Sequence, residues 1–213
     1  MSKIKNYNSK SLRQDFRLLR NDFKAVGKWQ IPIIKKCEIN IAGIELIPSD
    51  HVRIEAPIND ISKTVHFFVE DDKLERYYQK PENYIRRLAQ YQHVLTPDYS
   101  LYIDMPLTLQ LYNTFRSRWC GAYWQYHQLS VIPTISWGET DSFEFCFLGI
   151  EFESVVAIST LGCLKSKESF LKGYFEMKKR INPKQVLCFG KAFSELGPEV
   201  INVSYNKASR RTE

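Results

Sequence analysis

Two carboxylates, Asp98 and Asp104, sit within one stretch of the chain: Val94-Leu95-Thr96-Pro97-Asp98-Tyr99-Ser100-Leu101-Tyr102-Ile103-Asp104-Met105-Pro106. The stretch leaves a short apolar run and enters a helical pattern, so both acids fall between a strand's C-terminal end and the next helix. Ligands and chemistry collect at that edge in α/β proteins. Paired carboxylates there suit general acid–base catalysis or a divalent metal. Other apolar runs end the same way. Glu70-Asp71-Asp72 follows one, Trp137-Gly138-Glu139 and Asp141 follow another, Ser159-Thr160-Leu161-Gly162-Cys163 a third, and Lys191 a fourth. The catalytic candidates are Asp98, Asp104, Glu139 and Asp71. Tyr99 and Trp137 are placed to stack on a base and Ser100 to hydrogen-bond it. Arg116, or the Thr160, Gly162 and Lys165 loop, is placed to hold a phosphate at a helix start.

Each candidate also has a plain structural role. Asp104 lies two residues before the helix beginning near Pro106 and can cap it. Glu70-Asp71-Asp72 is a favourable acidic first turn. Asp98 has no such duty, because Pro97 fixes its loop and no helix begins directly after it. Cys163 near a helix start could have a depressed pKa, but no histidine neighbours it in sequence, and a packed thiol explains it more simply. The Gly162 loop lacks the spacing of an NTP-hydrolysing phosphate loop. His51, His66, His93 and His127 form no zinc-type spacing, and there is no Cys-x-x-Cys. The residues demand no cofactor, although a divalent metal would suit the carboxylates. The aromatic run from Trp119 to Tyr126 reads as helix core, and Arg116 and Arg118 on the same helix are the cations best placed for an anion.

The elements that must position these groups alternate. Continuous apolar runs at 64–69, 94–96, 131–135, 155–158, 186–190 and 200–203 read as strands. Helical patterns fill 71–91, 106–127 and 166–181, the second with Leu107, Leu111, Phe115 and Trp119 at four-residue spacing. This pattern predicts an α/β fold with a mostly parallel sheet of five to seven strands. A compact or incomplete β/α barrel is favoured over an open doubly wound sheet, because no Gly-rich phosphate turn marks the latter. Residues 10–26 read as an amphipathic helix ending at Gly27. Ile39, Ile41, Ile44 and Leu46 suggest a hairpin turning at Ala42-Gly43, inside an irregular insert at 37–63.

The 213 residues, 44% hydrophobic, suffice for one large domain. The expected division is a basic N-terminal arm (1–28), a single α/β domain (29–206) and a basic tail (207–213). The net charge of +6 lies at the ends: residues 1–28 hold eight Lys/Arg against two Asp/Glu, while 29–206 hold nineteen against twenty-one. A basic arm can bind nucleic-acid phosphates or simply be a solvated tail. No run of eighteen apolar residues and no signal sequence occur, so no membrane association is expected. The five scattered cysteines read as reduced thiols of a cytoplasmic protein.

The segments His66-Phe67-Phe68-Val69-Glu70-Asp71-Asp72, Val94 through Pro106, Leu109-Gln110-Leu111-Tyr112-Asn113-Thr114-Phe115-Arg116, Ile132 through Glu139, Ser142 through Ile150 and Ser154 through Cys163 resemble the domain of unknown function 4417 family of phages and bacterial mobile elements. The resemblance covers about 60% of the chain. It implies a cytoplasmic, phage or mobile-element protein and assigns no reaction.

Two functions fit. One is binding or hydrolytic action on a nucleotide or nucleic acid through a carboxylate-lined pocket at the strand C-terminal edge. The other is a non-catalytic partner of a host protein, such as an anti-defence inhibitor or replication accessory, using the basic helix and the 37–63 segment. Convergence of the carboxylates on one pocket separates them. Chain order sets no oligomeric state.

Overall fold

A computed structural model describes residues 19–203. The basic tail, and most of the expected basic N-terminal helix, lie outside the described residues. Where that helix was expected to continue, Ala25–Val26 (β1) instead pairs antiparallel with Ile31–Pro32 (β2). Gly27, at φ +72°, makes the turn between them rather than ending a helix.

Short, buried apolar runs become parallel strands. Leu46–Pro48 (β3), Thr64–His66 (β4), His93–Leu95 (β5) and Val131–Ile132 (β6) form a four-stranded parallel sheet in that order. Val156–Ser159 (β7), Val186–Phe189 (β8) and Val200–Val203 (β9) form a three-stranded parallel sheet. Helices Asp71–Gln79 (α1), Ile85–Leu88 (α2), Leu107–Tyr126 (α3) and Lys167–Ile181 (α4) lie between strands. A parallel bridge between Thr134 and Ala157 joins the sheets, with Ile135 N–H donating to Ala157 O at 2.8 Å.

The α/β class and parallel strands agree with the sequence pattern. The hydrogen bonds define sheets of four and three strands, not one closed ladder. The expected hairpin is absent: Ile44 N–H closes a turn onto Ile41 O at 3.2 Å, and the chain then enters parallel β3. The 37–63 segment is therefore not merely a cover, since it supplies a strand.

Period-two alternation places the second sheet between two apolar layers. Val156, Ile158, Val186 and Cys188 pack with Phe170, Tyr174, Met177 and Ile181 of α4. Ala157, Leu187 and Phe189 join the core of the first sheet. There the Phe189 ring lies 4.9 Å from His66 of β4 and stacks at 4.5 Å on Phe68. The two sheets thus share one interior. Helix α4 stops as expected, with Asn182 in the left-handed conformation (φ +47°) before Pro183.

Helix α3 departs from its predicted stripe. Leu107, Leu109 and Tyr112 are exposed, whereas Gln110, Asn113, Thr114, Arg116, Ser117 and Arg118 are buried. Of the predicted stripe, Leu107 is exposed, Leu111 and Phe115 are half-buried against the two cores, and Trp119 is fully buried. Polar side chains share the buried face of the helix's first three turns because they hold the loop carrying Asp98.

Candidate functional site

The loops after β4, β5, β6 and β7 and the start of α4 enclose one cleft of about 730 Å³. Parallel strands bring their C-terminal ends to one edge, and the cleft opens there. Phe68, Glu70 and Asp71 come from beyond β4, and Asp98, Ser100, Tyr102, Ile103 and Asp104 from beyond β5. Ser136 and Trp137 follow β6; Ser159, Leu161, Gly162 and Cys163 come at and after β7; Ser166, Ser169 and Phe170 come from the start of α4. Three of the four proposed catalytic acids, Asp71, Asp98 and Asp104, therefore share a wall with Ser100, Trp137 and Gly162.

Asp98 sits half-buried in this wall. Loss of hydration pushes its carboxyl up to about 6, aided by the negative charge of Asp71. A hydrogen bond from the Ser136 hydroxyl and the positive charge of Arg118 oppose the rise. The loop is fixed from below. Thr134 N–H donates to Thr96 Oγ1 and Thr134 Oγ1 to Thr96 O, both at 2.8 Å, while Ser117 Oγ donates to Thr96 Oγ1 at 3.1 Å. Beneath it, Arg118 is buried and donates to the carbonyls of Thr134 (2.9 Å), Cys146 (2.8 Å) and Leu148 (3.1 Å).

A closed ring of polar contacts orients Asp71. Its carboxylate accepts from Ser100 N–H (3.2 Å) and Ser100 Oγ (3.0 Å). Ser100 O accepts from Asn113 Nδ2 at 2.7 Å, Asn113 Oδ1 accepts from Arg116, and Arg116 pairs with Glu75. Asp71 and Glu75 are one turn apart on α1, so the ring ties α1, the β5 loop and α3 together.

Trp137 enters the cleft because Gly173 lets its indole lie against α4. A Cβ on Gly173 would stand 2.2 Å from the indole. Phe170, at 5.0 Å between centroids, backs the ring. We expect Gly173→Ala to displace Trp137 and destabilise the protein by about 1–3 kcal/mol. In a Trp137→Ala background the same change is expected to cost little. Urea midpoints of the four proteins in this cycle check it.

Other candidates lie elsewhere. Glu139 is exposed outside the cleft wall and precedes the short 3-10 helix Thr140–Glu144, with its carbonyl accepting from Ser142 N–H. Tyr99 is buried, donates to Leu74 O at 3.1 Å and lies beneath the Arg116 guanidinium, 3.9 Å from its ring centroid. It cannot stack on a ligand in the cleft. Arg116 is committed to Glu75 and Asn113, so it holds protein rather than phosphate, as does Arg118. Thr160 is buried and Lys165 points to solvent outside the cleft wall.

Three backbone donors of the Gly162 loop, where an anion nest was expected, are already bonded within the protein. Thr160 N–H donates to Phe189 O (3.0 Å), Leu161 N–H to Ser159 Oγ (3.2 Å) and Cys163 N–H to Thr160 O (3.1 Å). The Cys163 thiol is pushed up, by burial and then by Asp98, so it is not an activated nucleophile. Asp104 is exposed at the rim and makes no side-chain cap to α3. Among the described residues no three His, Cys, Asp or Glu side chains converge to hold a metal ion.

Ser136, Ser166 and Ser169 line the cleft without being site candidates from the sequence, and Phe170, which reads there only as the apolar face of its helix, joins them. Ser136 stood between Ile135 and Trp137 at a recognised strand end, and its position predicts a loop-facing hydroxyl. The isolated Gly173 within a helix was a further readable signal.

Fold and cleft together define a parallel α/β protein with an acidic, aromatic cleft at its strand C-termini. The chain belongs to the family described as domain of unknown function (DUF4417), whose family model matches residues 23–206. It is 38% identical over 175 residues to the "Gene 1 protein" of Mycobacterium phage L5, covering 81% of this chain and 76% of that protein. It is 35% identical over 176 residues to the "Gene 1 protein" of Mycobacterium phage D29, covering 81% of this chain and 64% of that protein. No solved structure matches the chain. Among the described residues no helix is long and apolar enough to cross a membrane.

Proposed function

We propose that the protein binds a nucleotide or nucleic-acid component in this cleft and acts on it hydrolytically in the host cytoplasm. The observation that carries the reading is Asp98: a half-buried carboxyl, raised to about 6, in the wall of a cleft it shares with Asp71 and Trp137. A carboxyl tuned towards neutral pH can give a proton to a leaving group, and a second carboxylate can take one from water. Trp137 and Phe170 offer apolar surface for a base, and the surrounding serines offer hydroxyls for a sugar. The volume falls within the range of small-molecule sites, about 300–1,000 Å³. In this reading the two sheets act as an incomplete β/α barrel, a shape supported by the ring contact between β4 and β8.

Calorimetric titration with nucleosides, nucleotides and short oligonucleotides tests the proposal. We expect one class to bind, and Trp137→Ala to weaken it about tenfold or more, since stacking on a base contributes about 1–3 kcal/mol. Wild-type protein that binds none of them would remove the proposal.

A second reading, docking of a host protein, draws on the exposed apolar side chains of Tyr102, Ile103, Leu107 and Leu109 beside the cleft. A large contiguous exposed apolar patch marks an interaction surface.

A further inference from the structure

The cleft has one chemical asymmetry that narrows its occupant. Among the described residues, Glu70, Asp71, Asp98 and Asp104 line it, and no Lys, Arg or His does. The two arginines nearest the Asp98 loop are spent on protein partners, and three backbone donors of the β7 loop are already bonded. A phosphate placed there would meet the carboxylates of Asp71, Asp98 and Asp104, while the fourth, Glu70, is already paired with Lys73. A base and its sugar would meet an indole, serine hydroxyls and carboxylates that accept from sugar hydroxyls.

Resting on the proposed function, we infer that the cleft takes the base-and-sugar part of a nucleoside, with any phosphate kept outside the rim, and that the bond cleaved is the glycosidic C1′–N bond. Asp98, un-ionised, gives its proton to the departing base nitrogen as C1′–N breaks. Water adds its oxygen to C1′, and Asp71 takes the proton that water loses. The products are free base and free sugar, and proton exchange with solvent restores both carboxyls. Two carboxylates with divided acid and base roles are an established arrangement for glycosidic hydrolysis. The charged and titratable groups acting on Asp98 are Asp71 from α1 and Arg118 from α3, and Asp98 in turn acts on Cys163 after β7.

The test incubates wild-type, Asp98→Asn and Asp71→Asn proteins with ribo- and deoxyribonucleosides and with their 5′-monophosphates. Chromatography measures released base and calorimetry measures binding. We expect base release from a nucleoside, at least about tenfold slower release from its monophosphate, and a rate that falls as pH rises above about 6. Loss of the acid is expected to slow release by about 10²–10⁴-fold in Asp98→Asn while nucleoside binding persists. A nucleoside that binds with no base released overturns the glycosidic step and leaves the proposed function standing. Preference for the monophosphate overturns the substrate class. Failure of every nucleoside and nucleotide to bind wild-type protein removes both.

Discussion

Asp98→Asn is expected to make the protein more stable at pH 8 and no more stable at pH 3.5. The Asp98 carboxyl lies at about 6 in the folded protein against an ordinary 3.8. Between those values the folded state holds more protons than the unfolded one, so stability falls as pH rises. The penalty is complete above about 6 and absent below about 3.8. A shift of this size corresponds to at most about 3 kcal/mol, because the cleft leaves the group partly open to water. Asparagine keeps the shape and can still accept from Ser136, but it carries no charge to desolvate. Urea midpoints at the two pH values measure the effect. A residue whose replacement stabilises the fold while removing its chemistry carries the signature of function maintained against stability. Equal midpoints at pH 8 would show that Asp98 is not strained by its surroundings.

Arg118→Met should act in the opposite direction and with larger effect. Arg118 is buried and satisfies the carbonyls of Thr134, Cys146 and Leu148, all brought against α3 from β6 and the loop beyond it. Burial lowers its pKa to about 10, so it remains charged at neutral pH. Methionine fills comparable space but leaves three buried acceptors without a donor. The expected loss is about 3–5 kcal/mol, a large share of the roughly 5–15 kcal/mol typical of a domain. Arg118→Lys keeps the charge and part of the bonding, so about half that loss is expected. Removing the positive charge should also raise the Asp98 carboxyl further, since Arg118 lowers it. Urea midpoints of both variants, with the Asp98 titration, check the pair of effects.

The strand-end rule succeeded where it relied on topology. Parallel strands and their crossovers bring Asp71, Asp98, Asp104, Ser100, Trp137 and Gly162 to one edge, and that order is legible in apolar runs and helical periods. It failed where a residue's role depends on what packs beneath the loop. Tyr99 adjoins Asp98 in sequence but points to Leu74 O, because successive residues of an extended segment face opposite ways. Arg116 looked free for an anion, yet Glu75 and Asn113 claim it, and neither contact shows in local spacing. Helix α3 was legible only in part for a related reason: its apolar period from Leu107 is real, but polar side chains share the buried face because they hold the β5 loop. Such a violation of local pattern is expected beside a working site. Strand β3, Leu46–Pro48, was placed in a hairpin because alternation at Ile44 and Leu46 fits either pairing, and its true parallel partner, Thr64–His66, shows in no local spacing.

Asp98 is read as a proton-holding carboxyl in a ligand-binding cleft. Carbon-13 NMR titration of labelled aspartate, with Asp98→Asn to assign the signal, measures it directly, with and without saturating nucleoside. The account predicts a midpoint near 6 and a shift of that signal when ligand is added. A midpoint near 4, unmoved by every nucleoside and nucleotide tried, would contradict it.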